Sequence, residues 1–242
     1  MSLKPTPRVS IRRLRRIGKI PSKWKGVCMD GSDFNKSINC NRKLIGARFY
    51  PNLETQTNPT QAHGSPRDSV GHGTHTASIA GGSWVPRASY YGLARGAARG
   101  GLPAARIASY KACTEEGCAG SIILKAIDDA IRDGVDIISV SIGMSSIFES
   151  DFLSDPIAIG AFHAEQSGVT VVCSAGNDGP DSYTVVNSAP WIFTVAASTV
   201  DRDFRTRIIL GNNDSYEGSA ISFSPLKAGE RYPLASGEKV AS

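Results

Sequence analysis

Short apolar runs rich in β-branched residues recur along the second half of the chain, separated by segments of helical length. The runs predict strands at residues 106–112, 135–142, 169–173 and 192–197. Residues 121–133 repeat Ile and Ala at helical spacing and are followed by Gly134, which predicts a helix that ends there. A second helix is predicted from an Asp155 cap and Pro156 to Gly168. This alternation predicts an α/β fold with a mainly parallel sheet and helices on both faces.

The first half of the chain is less regular. Residues 20–67 are polar and turn-rich, and they predict loop with short strands. Residues 92–105 are rich in glycine and predict a further loop. Because their glycines do not follow the Gly-x-Gly-x-x-Gly spacing of phosphate-binding loops, no cofactor is expected. No apolar run approaches ~18 residues, so neither a membrane span nor a signal peptide is expected.

The net charge of +5 is concentrated at the start of the chain. Residues 1–19 hold seven Lys and Arg and no acid, so residues 20–242 carry a net charge of −2. Such a segment binds nucleic acid, forms an organelle presequence or is a disordered tail. No aromatic residue interleaves the arginines, and this favours a basic disordered tail over a nucleic-acid partner.

The chain has five cysteines, four of which form two close pairs in sequence. Cys28 with Cys40, and Cys113 with Cys118, either close small disulfide loops or hold a metal. Neither pair has C-x-x-C spacing or a nearby histidine, so no metal site is expected there. Disulfides would imply an oxidising compartment. Cys173 lies in an apolar run and is predicted to be a buried thiol.

Two histidines lie in a run of small residues at 68–82. Glycine flanks His72 on both sides, which leaves room for other groups to approach its imidazole. Histidine ionises near neutral pH, so His72 is a candidate general base, and a structural histidine is the alternative. A third interpretation makes Asp68, His72 and His75 a metal site, because i and i+3 residues share a helix face.

Small polar residues follow two of the predicted strands. In open parallel sheets the ligand site lies beyond the carboxyl ends of the strands, which here are residues 139–143 and 173–180. Asn177 follows the second strand closely, and a side-chain amide at this edge donates to a developing oxyanion. The alternative is a turn asparagine, since Asn-Asp-Gly-Pro is strong turn chemistry.

These segments together resemble the subtilisin-like serine proteases, and the plant branch of that family most closely. The resemblance rests on Gly71-His-Gly-Thr-His-Thr-Ala-Ser78, Ser139-Val-Ser-Ile-Gly143 and Ser174-Ala-Gly-Asn177, which occur in the family's order and at roughly its spacing. Further similar stretches are Ile20 to Cys28, Cys40 to Ala47, Ser65 to Asp68, Ala105 to Cys113 and Asp128 to Asp136. The similarity extends over about residues 18–215.

The resemblance implies peptide-bond hydrolysis by a Ser-His-Asp triad, with a polypeptide substrate and no metal or cofactor. His72 matches the triad base, His75 a structural position and Asn177 the oxyanion donor. The strand that pairs with the substrate backbone is matched by Ser139, Ser141 and Gly143. The lining of the primary specificity pocket is matched by Ser174, Ala175 and Gly176. The two cysteine pairs match the family's small disulfide loops, and the family is usually secreted.

Two family motifs have no counterpart here. The Asp-Thr/Ser-Gly strand end that carries the triad aspartate is absent, and Asp30 and Asp33 are not assigned to that role because no apolar strand precedes them. The Gly-Thr-Ser-Met segment that carries the nucleophile is absent as well. We therefore expect a fragment of the catalytic domain that is marginally stable and inactive alone.

Three segments are predicted from these patterns. Residues 1–19 form the basic tail, residues 20–198 a partial catalytic domain, and residues 199–242 the start of a protease-associated insertion or an irregular segment. The alternative function is a catalytically dead homologue that binds peptide as a decoy. Neither a nucleic-acid nor a membrane partner is expected, and the resemblance leaves the oligomeric state and the location of this chain open.

Overall fold

The computed structural model describes residues 17–51, 64–115, 117–143, 151–221, 223, 227 and 229–236. The chain divides into two compact units, Met1–Ser198 and Thr199–Ser242. Most of the predicted basic tail, residues 1–16, lies outside the described residues.

The first unit contains both helices and strands. Its helices are α1 Lys36–Asn39, α2 His72–Gly81, α3 Gly120–Asp133 and α4 Pro156–Gln166. Its strands are β1 Leu44–Phe49, β2 Val85–Tyr90, β3 Leu93–Ala98, β4 Ile107–Lys111, β5 Cys113–Thr114, β6 Gly117–Cys118, β7 Ile137–Val140, β8 Thr170–Ser174 and β9 Phe193–Val195. The second unit contains β10 Arg205–Ile209 and β11 Ser215–Ser219, which pair as an antiparallel hairpin.

Parallel pairing dominates the first unit and confirms the predicted α/β class. Strand β1 pairs with β4 in parallel, and β7, β8 and β9 form a parallel three-stranded sheet in that order. One face of this sheet is buried under α3 and α4. The core there consists of Ile123, Ile127, Ala130, Ile138, Val140, Ile157, Ala161, Ala164, Val169, Val171 and Cys173. On the other face, Ile137, Phe193 and Val195 are exposed.

Both predicted helices form, and local chemistry sets their ends. The backbone N–H of Gly134 donates to the carbonyls of Ala130 and Ile131, and its φ of 86° ends α3 in the left-handed region that favours glycine. The Asp155 side chain accepts from the backbone N–H of Ile157 and caps the start of α4, where Pro156 needs no hydrogen-bond acceptor. Helix α3 leads into β7, and α4 connects β7 to β8. The two strands are therefore parallel and end at the same edge of the sheet.

The prediction of loop over residues 92–105 is wrong for its first half. Residues 93–98 form β3, which pairs with β2 across a turn at Tyr91 and Gly92. This hairpin is largely exposed. Backbone pairing therefore holds its two strands together. Because neither strand has a buried face, the sequence shows no alternation of apolar and polar residues that would predict them.

Both predicted cysteine pairs are disulfides. Cys28 is bonded to Cys40, and Cys113 to Cys118 across the β5–β6 hairpin. Cys173 is a buried free thiol, as predicted, and burial raises its pKa to about 12. Among the described residues, no helix is both long and apolar enough to span a bilayer.

Candidate active site

His72 is the first residue of α2, and the carboxylate of Asp68 holds the start of that helix. Asp68 Oδ1 accepts from the backbone N–H of Gly71 at 2.8 Å, and Oδ2 accepts from the N–H and the hydroxyl of Thr74, both at 2.7 Å. Gly71 precedes the helix with a φ of 95°, which favours glycine. Gly71 and the carboxylate of Asp68 therefore shape the start of the helix at which His72 lies.

The charge of Asp68 is stabilised by these contacts. Burial raises its pKa, but the hydrogen bonds from Gly71 and Thr74 lower it more, so the pKa lies below its ordinary value. Both carboxylate oxygens are used by the helix start. Within the described ranges, no group of three or more His, Cys, Asp or Glu side chains is placed to hold a metal ion.

The imidazole of His72 is exposed at this helix start. Within the part of the chain that the structure describes, it makes no hydrogen bond to another side chain. Asp30 instead pairs with Lys36 at 3.2 Å, and Asp33 pairs with Arg67 at 3.1 Å. An exposed imidazole has room to accept a proton from an approaching group.

The two predicted strand ends lie side by side. Ser139 of β7 is in register with Val172 of β8, and Val140 with Cys173, so residues 141–143 and 174–177 leave the sheet at the same edge. Strand β7 lies at the border of the sheet that the described residues form, with β8 on its other side. An edge strand offers unpaired backbone groups to an extended polypeptide.

The second strand end turns sharply into Asn177. The backbone N–H of Ala175 donates to the carbonyl of Val195 at 3.0 Å, which extends the pairing of β8 with β9 by one residue. Gly176 then takes a φ of 94°, and Asn177 follows it with its side chain exposed. The amide of Asn177 is therefore accessible at the edge where the sheet ends.

Asn187 also lies at this edge, although the sequence patterns do not single it out. The buried amide nitrogen of Asn187 donates to the carbonyl of Ile142 and to that of Ser174, each at 2.9 Å. These bonds tie the two strand ends to each other. No sequence signal marks this residue, because Val-Val-Asn-Ser-Ala-Pro has the composition of an ordinary turn.

The structure thus brings together Ser139, Ser141, Gly143, Ser174, Ala175, Gly176 and Asn177. His72 lies on a different element, and helix α2 contacts β4. Among the described residues, no hydrogen bond connects His72 with either strand end.

Sequence comparison matches the subtilase family model to residues 29–241. The chain is 53% identical over 226 residues to a CO(2)-response secreted protease of Arabidopsis thaliana, an alignment that covers 93% of this chain and 29% of that protein. It is 52% identical over 223 residues to the subtilisin-like protease SBT5.1 of the same plant, covering 91% of this chain and 28% of that protein. The chain therefore spans less than a third of the length of these relatives.

A comparison of folds gives a partial match to the solved structure of sphericase. The TM-score is 0.42 at 24% identity, and the match covers 65% of this chain and 46% of sphericase. The family assignment therefore rests on the sequence matches. Since the subtilase model matches most of the residues, the chain belongs to the subtilase family of serine proteases.

Proposed function

We propose that this chain supplies the general base, the oxyanion donor and the substrate-binding edge of a serine endopeptidase that cleaves extended polypeptides. The observation that carries the proposal is the pair of strand ends, 139–143 and 174–177, held at one edge of a parallel sheet. Ligands bind beyond the carboxyl ends of such strands.

The two strand ends have different roles in this proposal. Ser139, Ser141 and Gly143 pair with the substrate backbone, because β7 is an edge strand within the described sheet. Ser174, Ala175 and Gly176 line the pocket for the side chain next to the scissile bond.

The chemical groups are His72 and Asn177. The exposed imidazole of His72 takes the proton from an attacking hydroxyl, and the exposed amide of Asn177 donates to the oxyanion that forms on the scissile carbonyl. The family's nucleophile and triad aspartate motifs do not occur in residues 1–242. In subtilisin, loss of the serine alone lowers turnover by about 10⁶-fold. The 242-residue polypeptide tested by itself is therefore expected to bind peptide without cleaving it.

Peptide binding tests this proposal without altering the protein. An extended fluorescent peptide is compared by anisotropy with two isomers in which alternate backbone nitrogens are methylated, one set on each edge of the peptide. Pairing with β7 uses one edge, so one isomer should lose at least about tenfold in affinity and the other should bind as the parent peptide does. Equal binding of both isomers, or no binding of any peptide, would contradict the proposal.

A serine-directed phosphonate probe separates binding from turnover. We expect no labelling of the 242-residue chain, because no activated serine is present in it. Labelling at one serine would overturn the expectation that this polypeptide is inactive by itself. Peptide binding without labelling also fits the decoy function. Peptide cleavage in a catalytic assay of a longer form of the protein would exclude the decoy function.

We further propose that the protein acts in an oxidising compartment, in keeping with secretion. The disulfides Cys28–Cys40 and Cys113–Cys118 support this, since such bonds persist in oxidising environments. Alkylation of unreduced, denatured protein from its native source should modify Cys173 alone. Modification of all five cysteines would contradict this location.

A further inference from the structure

Asn187 is connected to all three strands of the β7–β8–β9 sheet. Its side-chain nitrogen donates to the carbonyls of Ile142, just beyond β7, and Ser174, the last residue of β8. Its own carbonyl accepts from the hydroxyl of Thr194 in β9 at 2.6 Å. The residue is 8% exposed, so water does not compete effectively for these bonds.

Asparagine suits this position for two physical reasons. Its primary amide carries two N–H groups on one nitrogen, and each of them reaches a separate carbonyl here. Its backbone φ is 56°, in the left-handed region that asparagine tolerates better than most residues. Aspartate has the same shape but no N–H when ionised, and alanine has no side-chain donor.

Val186 fills the space beside this amide. A Cβ added to Gly143 would lie 2.9 Å from Val186 Cγ2, and a Cβ added to Gly176 would lie at the same distance from the same atom. The backbone N–H of Val186 also donates to the carbonyl of Ala175 at 3.0 Å. The side chain of Val186 therefore separates the two strand ends. The hydrogen bonds of the Asn187 amide hold the same two strand ends next to each other.

We infer that Asn187 is a positioning residue for the polypeptide substrate. It holds residues 141–143 and 174–176 at a fixed separation. The strand that pairs with the substrate backbone is thereby aligned with the pocket that takes the substrate side chain next to the scissile bond. Asn187 acts through the two backbone segments, because its side chain is buried. This inference rests on the proposed function for what the two segments bind.

Hydrogen exchange tests the structural half of the inference. The variant Asn187→Ala should exchange backbone amides at 141–143 and 174–176 at least about tenfold faster than the parent, because two hydrogen bonds are lost. Tyr110→Phe is the matched control, since Tyr110 lies in the separate β1–β4 sheet and the change removes one partly buried hydrogen bond, to Asp133 at the end of α3. Unchanged exchange at both segments in the Asn187 variant would overturn the inference.

Peptide binding tests the functional half. An extended blocked peptide is compared with the same peptide lacking its C-terminal residue, the residue that enters the pocket. In the parent, and in Tyr110→Phe, this residue should raise the affinity by about tenfold. In Asn187→Ala and in the isosteric Asn187→Asp, the gain in affinity from this residue should fall below about twofold. The affinity of both variants for the shorter peptide should stay within about twofold of that of the parent protein.

The outcomes separate the two proposals. If the parent gains affinity from the added residue and both Asn187 variants keep the full gain, the inference is wrong and the proposed function stands. If the parent binds neither peptide, the proposed function fails, and the role of Asn187 toward substrate fails with it. A third outcome is that peptide binding falls in proportion to the loss of global stability, in Tyr110→Phe as well as in the Asn187 variants. Asn187 would then have a structural role only, which would contradict the inference.

Discussion

Arg48 and Asp133 form a two-pronged ion pair between a strand and the end of a helix. Arg48 Nε donates to Asp133 Oδ2 at 2.7 Å, and a terminal guanidinium nitrogen donates to Oδ1 at 2.6 Å. The Tyr110 hydroxyl donates to the same carboxylate at 2.8 Å. Because Arg48 lies in β1, Tyr110 in β4 and Asp133 at the end of α3, this cluster joins the β1–β4 sheet to the helix that leads into β7.

Breaking this pair should destabilise the protein strongly. The Asp133 side chain is 7% exposed and that of Arg48 is 23% exposed. Arg48→Met leaves a buried carboxylate without its cation, so we expect a loss of about 3 kcal/mol in the free energy of unfolding by urea. Lys23→Met is the control, since the pair of Lys23 with Asp136 is mostly exposed, and its loss should cost less than about 1 kcal/mol. Equal effects of the two changes would contradict this assignment.

The sequence predicts the elements that local chemistry determines. Helix α3 ends at Gly134 and α4 begins at Asp155 because the residues that set these boundaries lie within or beside the helices. Strand β1 is different, since its partner β4 lies about sixty residues away, with Leu44 opposite Ile107. The segment around β1 has the composition of a loop with short strands, and the long-range pairing makes residues 44–49 a strand of the two-stranded β1–β4 sheet.

The same distinction applies to the candidate site. The segments 139–143 and 174–177 follow apolar strand runs, so the sequence predicts that they meet at one sheet edge. Asn187 is not predictable in this way, because the carbonyls that it bonds lie 45 and 13 residues away in sequence. Only the folded arrangement shows that a turn asparagine connects the two strand ends.

Removing the Asp68 side chain should loosen the helix that carries His72. Asp68→Ala leaves the N–H groups of Gly71 and Thr74 without their acceptor, and should cost about 0.5–2 kcal/mol in unfolding free energy at pH 7. Because the pKa of Asp68 is lowered in the folded state, this stabilisation is present above the ordinary aspartate pKa of about 3.9 and is lost as the pH falls through the lowered value.

Urea unfolding between pH 7 and pH 3 measures this effect. The difference between the parent and Asp68→Ala should shrink as the pH falls below about 4. The control Asp181→Ala changes an exposed aspartate and should leave the unfolding free energy within about 0.5 kcal/mol of the parent. A difference between parent and Asp68→Ala that stays constant at every pH would mean that the charge of Asp68 does not stabilise the helix start.

The two disulfides should stabilise the first unit by different amounts. The Cys28–Cys40 bond joins residues 12 apart and the Cys113–Cys118 bond residues 5 apart. A cross-link restricts the unfolded chain more when its loop is longer, so changing both cysteines to serine should cost about 3 kcal/mol for the first bond and about 2 kcal/mol for the second. A reductant should lower the stability of the parent and leave a variant without both bonds unchanged. The reverse order of costs would argue against loop length as the cause.

Substitution of the two glycines at the strand ends tests whether Val186 separates them. Gly143→Ala would place a methyl group 2.9 Å from Val186 Cγ2 and 3.3 Å from the Asn187 amide nitrogen. We expect a loss of about 1–3 kcal/mol in urea unfolding. Val186→Ala removes the obstructing Cγ2, so the double variant should recover most of this loss relative to Val186→Ala alone.

Gly176 should behave differently although it faces the same Cγ2. Its φ of 94° strains any larger residue, so Gly176→Ala should stay destabilised by about 1 kcal/mol or more even when Val186 is alanine. Gly96→Ala is the control, because a Cβ there meets no atom within 4 Å and its backbone lies outside the left-handed region. Recovery at 143 without full recovery at 176 would identify Val186 as the steric spacer. Equal recovery at both positions would mean that backbone strain at 176 is negligible, and no recovery at either would show that Val186 does not set their separation.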